Sequence, residues 1–201
     1  MYGVAAFLSR HLPLPFSYWL GLRLADAFHA LDRRGRAGVT GNLARILAHR
    51  GIEAAPGSLA GMVRKTYQYF GKYLVDFFRY SNSFCREIEG KVSIENASYL
   101  ENAVRAGRGA IMVTAHVGNW ELGGMMLAQM GHPVTAVYRP FGIRHLDRMF
   151  TDRRQSRGIR LIPLGRAVPG LVRALRSGGV VCLLADRDFT GRGHPCTFFG
   201  A

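Results

Sequence analysis

The chain has 201 residues, of which 48% are hydrophobic, and this is enough to build one substantial core. The formal net charge of +14 comes almost entirely from arginine, since Lys65, Lys72 and Lys91 are the only lysines. Arginine forms bidentate contacts with phosphates and carboxylates, so the charge indicates an anionic partner: nucleic acid, an anionic membrane surface, a phosphorylated lipid or an acidic carrier protein. The cysteines, at positions 85, 182 and 196, are irregularly spaced, which argues against a disulfide framework and a cysteine-ligated zinc site.

Residues 1–90 have apolar residues at helical spacing and predict an N-terminal helical region. Helices are expected at 20–31, 39–49 and 59–78, with an Arg-Gly-rich turn at 35–38 and Ser58 as the cap of the third helix. No uninterrupted run of about 18 apolar residues occurs, so no transmembrane helix is predicted. Aromatic residues beside arginine at 16–23 fit a segment at a membrane interface, and a buried amphipathic helix fits equally well.

From residue 91 onwards, short apolar runs alternate with helical patterns. Strands are predicted at 91–94, 110–114, 134–138, 160–163 and 180–185, with helices at 97–106, 119–130, 146–156 and 168–176. This alternation predicts an α/β domain over residues 91–201, with a mostly parallel sheet covered by helices on both faces. In such sheets the ligand site lies beyond the carboxyl ends of the strands.

Polar, ionisable residues follow three of these strands. His116 comes after the second strand, Tyr138 and Arg139 come at the end of the third, and Asp186, Arg187 and Asp188 follow the last. A base, a cation and paired carboxylates on one rim predict an active site. The alternative is that the arginine and the carboxylates only pair with one another at a solvated surface.

The segment at 114–121, Thr-Ala-His-Val-Gly-Asn-Trp-Glu, predicts a strand, a turn and a helix start. Gly118 suits the turn and Asn119 suits the N-cap, which places Glu121 in the first helical turn. A carboxylate there stays ionised and is suited to orient an imidazole. His116 is then the candidate general base, because free imidazole titrates near about pH 6.5. A hydrogen-bonded structural histidine is the alternative, and no His-Glu-x-x-His motif indicates a metal.

Arginine is also dense just beyond the third strand. A phosphate-binding groove is one hypothesis for this run, and a solvated helix face is the ordinary interpretation. Its members are Arg144, Arg148, Arg153, Arg154, Arg157, Arg160 and Arg166.

Four blocks together resemble the bacterial lipid A biosynthesis acyltransferases, which include lauroyl and myristoyl transferases and enzymes that acylate phosphatidylinositol mannosides. The blocks are 114–121, 138–140 (Tyr-Arg-Pro), 183–188 (Leu-Leu-Ala-Asp-Arg-Asp) and 198–200 (Phe-Phe-Gly), in family order, within a similarity that spans roughly residues 40–201. Family members continue well beyond the last block, so the resemblance implies a C-terminally truncated α/β core.

The resemblance implies acyl transfer from a thioester of acyl carrier protein or coenzyme A to a hydroxyl of a membrane lipid, without metal or cofactor. It implies that His116 is the general base and that Glu121 supports it. The substrate-binding residues would be Asn119, Arg139, Asp186, Arg187 and Asp188, with both arginines on phosphate groups. It also implies a location at the cytoplasmic face of the bacterial inner membrane.

Two other functional classes agree less well with these residues. A basic nucleic-acid-binding module would explain the charge but not the polar strand ends, and no helix-turn-helix, zinc-finger or aromatic-basic RNA motif is present. An α/β hydrolase would require a Gly-x-Ser-x-Gly elbow, which the sequence lacks.

Overall fold

The computed structural model describes residues 7, 11–53, 55–80, 91–188, 191 and 193–200. The chain divides into two compact units, the first comprising Met1–Tyr80 with Gly193–Ala201 and the second comprising Ser81–Arg192. Cys85 and the predicted boundary at residue 90 lie outside the described residues.

The described part of the first unit contains three long helices, which confirms the helical N-terminal region. They are α1 (Leu14–Leu31), α2 (Arg33–His49) and α3 (Pro56–Arg79). The predicted turn at 35–38 is wrong, because the side chain of Asp32 caps α2 by accepting a hydrogen bond from the Gly35 amide at 2.9 Å. Ser58 is not the cap of α3 either. The helix begins at Pro56. Proline lacks an N–H group, and the N–H groups of the first helical turn make no hydrogen bond within the helix, so proline is well tolerated there.

Helices α1 and α3 pack closely through small residues. A Cβ atom added to Gly71 would lie 2.8 Å from the backbone oxygen of Gly21, so only glycine permits this approach. Ion pairing adds to the contact, since Arg64 donates to both oxygens of Asp26 at 2.8 Å. These hydrogen bonds, above all the one from Arg64, hold the pKa of Asp26 well below its usual range. The two helices are therefore held by backbone proximity and by side-chain bonds.

The second unit is built of alternating helices and parallel strands, which confirms the predicted α/β fold. In chain order its elements are α4 (Ala97–Arg105), β1 (Ala110–Thr114), α5 (Trp120–Gln129), β2 (Val134–Tyr138), α6 (Arg144–Gln155), β3 (Arg160–Pro163), a 3₁₀ turn (Leu164–Arg166), α7 (Ala167–Arg176) and β4 (Val180–Leu184). The strand predicted at 91–94 is wrong, since these residues are coil and turn with Val92 and Ile94 exposed. An alternation of apolar and polar residues is typical of a strand, but a strand forms only when another strand pairs with it.

The four strands form one sheet in the order β1-β4-β2-β3, and every pairing is parallel. The last strand in sequence therefore lies between the first two. Val180 and Val181 at its start are fully buried and form the centre of the core. Helix α7 packs tightly on this sheet, because a Cβ atom on Gly170 would lie 2.5 Å from the Cδ1 atom of Ile162.

Candidate active site

The strand order brings two of the predicted residues side by side. In the β1–β4 register Thr114 faces Leu184, and the Ala185 amide extends the ladder by donating to the Thr114 carbonyl at 2.9 Å. His116 and Asp186 each lie two residues beyond their strand, so they occupy equivalent positions at the carboxyl edge of the sheet. Nδ1 of His116 lies 2.8 Å from Oδ1 of Asp186.

The charge of Asp186 determines the proton position on the histidine. Partial burial raises the pKa of this carboxyl, but hydrogen bonds from the His116 side chain and from nearby backbone amides outweigh it and hold the pKa below its usual value. An ionised carboxylate can only accept, so Nδ1 carries the proton and Nε2 keeps its lone pair. About a third of each side chain is exposed, 34% for His116 and 35% for Asp186. The imidazole thus has an Nε2 atom that can accept a proton, and its side chain is accessible to solvent.

An aromatic ring contacts the same imidazole. The ring of Trp120, the first residue of α5, stands edge-on to the His116 ring at a centroid distance of 4.9 Å and an angle of 75°. The carboxylate and the indole thus contact the imidazole from separate elements.

Glu121 has a different partner from the one predicted. Its carboxylate accepts hydrogen bonds from Arg154 in α6, with Nε of Arg154 at 3.0 Å from Oε1 and 3.1 Å from Oε2. Only 6% of the Glu121 side chain and 20% of the Arg154 side chain are exposed. In this arrangement the carboxylate bound to the histidine is Asp186, while Glu121 joins the first turn of α5 to the last turn of α6.

The turn between His116 and Glu121 is formed as its residues predict. Gly118 adopts a positive φ of 58°, which a side chain would strain. The Asn119 side chain caps α5 by accepting a hydrogen bond from the Leu122 amide at 3.2 Å. This bond gives Asn119 a defined structural role beside the predicted substrate-binding one.

The other predicted residues also follow strands of this sheet. Arg139 follows β2, which neighbours β4, and Arg187 and Asp188 come directly after Asp186. Because all four strands are parallel, these residues share the carboxyl edge of the sheet with His116. The Asp188 carboxylate accepts a hydrogen bond from the Gly191 amide at 3.0 Å.

The arginine run that begins after β2 does not form a uniform phosphate groove. Arg154 is bound to Glu121, and Arg148 forms an exposed ion pair with Asp152 at 3.6 Å. The Glu121–Arg154 pair was missed by sequence reasoning because its members lie 33 residues apart and no local spacing links them. The one available signal was an acidic residue in a predicted first helical turn, and this signal does not identify a partner.

Neither a metal nor a membrane-spanning helix is indicated by the described part of the chain. Across the described ranges no three histidine, cysteine or acidic residues cluster as metal ligands would. Within the same ranges, none of the helices is both long enough and apolar enough to cross a bilayer.

Comparison with known proteins gives one matching family. The family described as bacterial lipid A biosynthesis acyltransferase matches residues 1–201. A phosphatidylinositol mannoside acyltransferase of Mycobacterium tuberculosis (strain CDC 1551 / Oshkosh) is 34% identical over 167 residues, covering 79% of this chain and 51% of the relative. One of the same name from Mycolicibacterium smegmatis is 29% identical over 191 residues, covering 93% of this chain and 62% of the relative. The chain therefore spans about half to two thirds of the length of these relatives.

Proposed function

Because the chain belongs to the bacterial lipid A biosynthesis acyltransferase family, we propose that it transfers a fatty acyl chain from an acyl thioester to a hydroxyl of a membrane glycolipid. The contact between His116 and Asp186 is the observation that carries this proposal, because it holds a base in the required tautomer at an accessible sheet edge. The names of the relatives favour a phosphatidylinositol mannoside as the acceptor. Acyl carrier protein and coenzyme A are the two candidate donors.

The reaction begins with proton transfer to the histidine. Nε2 of His116 takes the proton of the acceptor hydroxyl while Nδ1–H remains bonded to Asp186, which stabilises the imidazolium that forms. The acceptor oxygen attacks the thioester carbonyl carbon, and a tetrahedral oxyanion results. Its collapse breaks the carbon–sulfur bond, and the thiolate leaves with the proton returned by Nε2. An ester and a free thiol are the products, and no acyl-enzyme is required.

Backbone and arginine donors complete the proposed site. The amides of Gly118 and Asn119, at the positive end of α5, are candidates for holding the oxyanion. Arg139 and Arg187 are proposed to bind phosphate groups of the donor or the acceptor, because guanidinium groups suit phosphate. The acceptor is a lipid, so the proposed location is the cytoplasmic membrane surface, with peripheral attachment.

Glu121 is proposed to support His116 through structure rather than by touching it. Its bidentate bond to Arg154 fixes the first turn of α5, from which the loop leads back to His116. Glu121 is then a positioning residue, and Asp186 is the group that orients the base.

An acyl-transfer assay with purified donors tests the proposal. Labelled palmitoyl thioesters of acyl carrier protein and of coenzyme A are offered with phosphatidylinositol mannosides or with a lipid A precursor. We expect His116→Ala to lower the rate by about 100- to 10,000-fold. The matched control is His145→Ala, which removes an exposed histidine of α6 and should leave the rate within about twofold of the parent. Equal rates for His116→Ala and the parent would show that His116 is not the base.

A further inference from the structure

Helix α1 exposes its large apolar side chains and buries its small ones. Ser17, Gly21 and Ala25 are buried, whereas Trp19 is 54%, Leu24 55% and Leu31 82% exposed. A helix that packs on a protein core and faces water has the opposite distribution. The outer side of α1 therefore has the composition of a surface that contacts an apolar phase.

Four of the five exposed large apolar residues of α1 lie on one side of the helix, whereas the fifth, Phe28, lies on the side that faces α3, where its ring is 5.9 Å from that of Tyr67. At about 100° per residue, Phe16, Trp19, Leu24 and Leu31 fall within an arc of about 140°, which we call the outer face of α1. The rings of Phe16 and Trp19 stack there at 5.5 Å. Phe16 is itself 48% exposed. Contiguous exposed apolar surface of this kind marks an interaction site rather than scattered exposure.

The buried side of α1 is closed to these large residues. A Cβ atom on Gly21 would lie 2.9 Å from Cγ2 of Val75 in α3, so the crossing accepts only small residues. Rotation of α1 to bury the outer face against α3 would force aromatic rings into this crossing. The outer face therefore cannot be packed against α3 without breaking this crossing.

The charge near the outer face is positive. Arg23 lies within the arc, and the exposed Arg33 and Arg34 follow Leu31 and the half-buried Asp32. Residues 11–80 contain ten lysines and arginines against four aspartates and glutamates. An apolar face with an aromatic pair and a basic border matches the boundary of an anionic bilayer, where aromatic rings lie at the head-group level and arginines contact phosphates.

We propose that α1 lies in the plane of an anionic lipid bilayer, with its outer face inserted at the boundary between head groups and acyl chains and with Arg33 and Arg34 on lipid phosphates. This inference rests on the proposed function in one respect, since a lipid acceptor must be reached from the membrane. It adds the surface that docks and the orientation of the helix. Arg23 and Asp26 within α1 agree with a helix that lies on the membrane rather than across it.

Tryptophan fluorescence tests the contact directly, because Trp19 and Trp120 are the only tryptophans. The Trp120→Phe variant leaves Trp19 as the single reporter. Its emission should shift to the blue with vesicles of phosphatidylcholine and phosphatidylglycerol, and much less with phosphatidylcholine alone. Lipids brominated near the head group should quench it more than lipids brominated at the chain end. An unchanged spectrum with both vesicle types, or an equal shift with both, would overturn the proposal.

Vesicle sedimentation of side-chain variants tests the outer face as a whole. We expect Phe16→Ser with Trp19→Ser to weaken binding to the anionic vesicles by about tenfold, because each ring is already about half buried in the free protein. The matched control is Tyr99→Ser on α4, which removes a 76% exposed aromatic side chain and should bind as the parent does. Circular dichroism verifies that each variant is folded.

Two results would show that the outer face does not bind a bilayer. In the first, the double variant binds vesicles as well as the parent does. In the second, the parent binds no vesicles but forms a dimer, and the double variant does not form this dimer. The His116→Ala protein separates the two proposals. It should bind vesicles as the parent does, so the binding result stands even if the catalytic assignment is wrong. The catalytic result likewise stands if the proposed membrane contact of α1 is wrong.

Discussion

Replacing Asp186 by asparagine removes the negative charge beside His116 and keeps the shape of the side chain. A hydrogen bond to a charged group contributes about 1.5–3 kcal/mol, and the lower part of this range applies because both side chains are about one third exposed. A loss of about 1.5–2 kcal/mol in the transition state corresponds to a rate lowered by roughly 10- to 30-fold. The asparagine amide can also donate to Nδ1, which favours the tautomer with the proton on Nε2. With this second effect we expect kcat to fall by about 100-fold.

The assay measures kcat for acyl transfer beside the urea-unfolding free energy of the same protein sample. Asp186→Asn should lower kcat and change the free energy of unfolding by less than about 1 kcal/mol. Asp152→Asn is the matched control, because it removes an exposed carboxylate of α6 and should change kcat by less than about twofold.

Glu121→Gln should affect stability more than catalysis, in contrast to Asp186→Asn. It breaks a largely buried ion pair and leaves the Arg154 charge without its counterion. We expect it to lower the free energy of unfolding by about 3 kcal/mol and to affect kcat per folded molecule less than Asp186→Asn does. If Glu121→Gln lowers kcat more than Asp186→Asn without destabilising the protein, the roles assigned to the two carboxylates are reversed and the reasoning is refuted.

Three further predictions concern stability. Gly71→Ala should lower the free energy of unfolding by about 1–3 kcal/mol, because its Cβ would meet the Gly21 backbone. Gly61→Ala, in an open part of the same helix, should raise the free energy of unfolding by about 0.5–1 kcal/mol. Urea unfolding of the two variants and the parent measures both changes. Asn119→Ala removes the cap of α5 and should cost about 1 kcal/mol by the same measurement. The pKa of Asp186 is depressed in the folded state, so its stabilising contribution is complete above the unfolded-state pKa of about 4 and is lost as the pH falls through the folded-state value. The difference in unfolding free energy between parent and Asp186→Asn should therefore be constant above about pH 5 and shrink in acid.

The strands were predictable to within a residue where a neighbouring strand pairs with them. The runs at 110–114, 134–138 and 160–163 coincide with β1, β2 and β3, because continuous apolar residues bounded by turns are typical of a parallel sheet. The run at 91–94 has the same local character but no partner strand among the described residues. In the first unit, Gly35 and its neighbours suggested a turn, and the cap from Asp32 maintains the helix there. Local patterns identify elements, and long-range pairing decides which of them form.

The site was predictable as a set of residues and not as a set of bonds. Parallel strands bring the ends of β1, β2 and β4 to one edge, so the residues after them share that edge for any strand order. Which carboxylate reaches His116 depends on β4 lying next to β1, and this order cannot be read from the sequence. The partner of Glu121 was hidden for the same reason, because Arg154 belongs to a helix two elements further along the chain.

The spacing of five between His116 and Glu121 keeps its importance under the observed bonding, for a different physical reason. On one side of the histidine the chain is fixed by β1, where the Thr114 carbonyl accepts the Ala185 amide. On the other side it is fixed by Glu121, which is bonded to Arg154. Only the short turn at 115–120 lies between these anchors, so a shift of either one moves the imidazole relative to Asp186. Because a misplacement of about 1 Å can cost roughly 100-fold in rate, the distant Arg154 can influence the base without touching it. A glutamate at this spacing can thus help to position the base while its hydrogen bonds are made to an arginine of another helix.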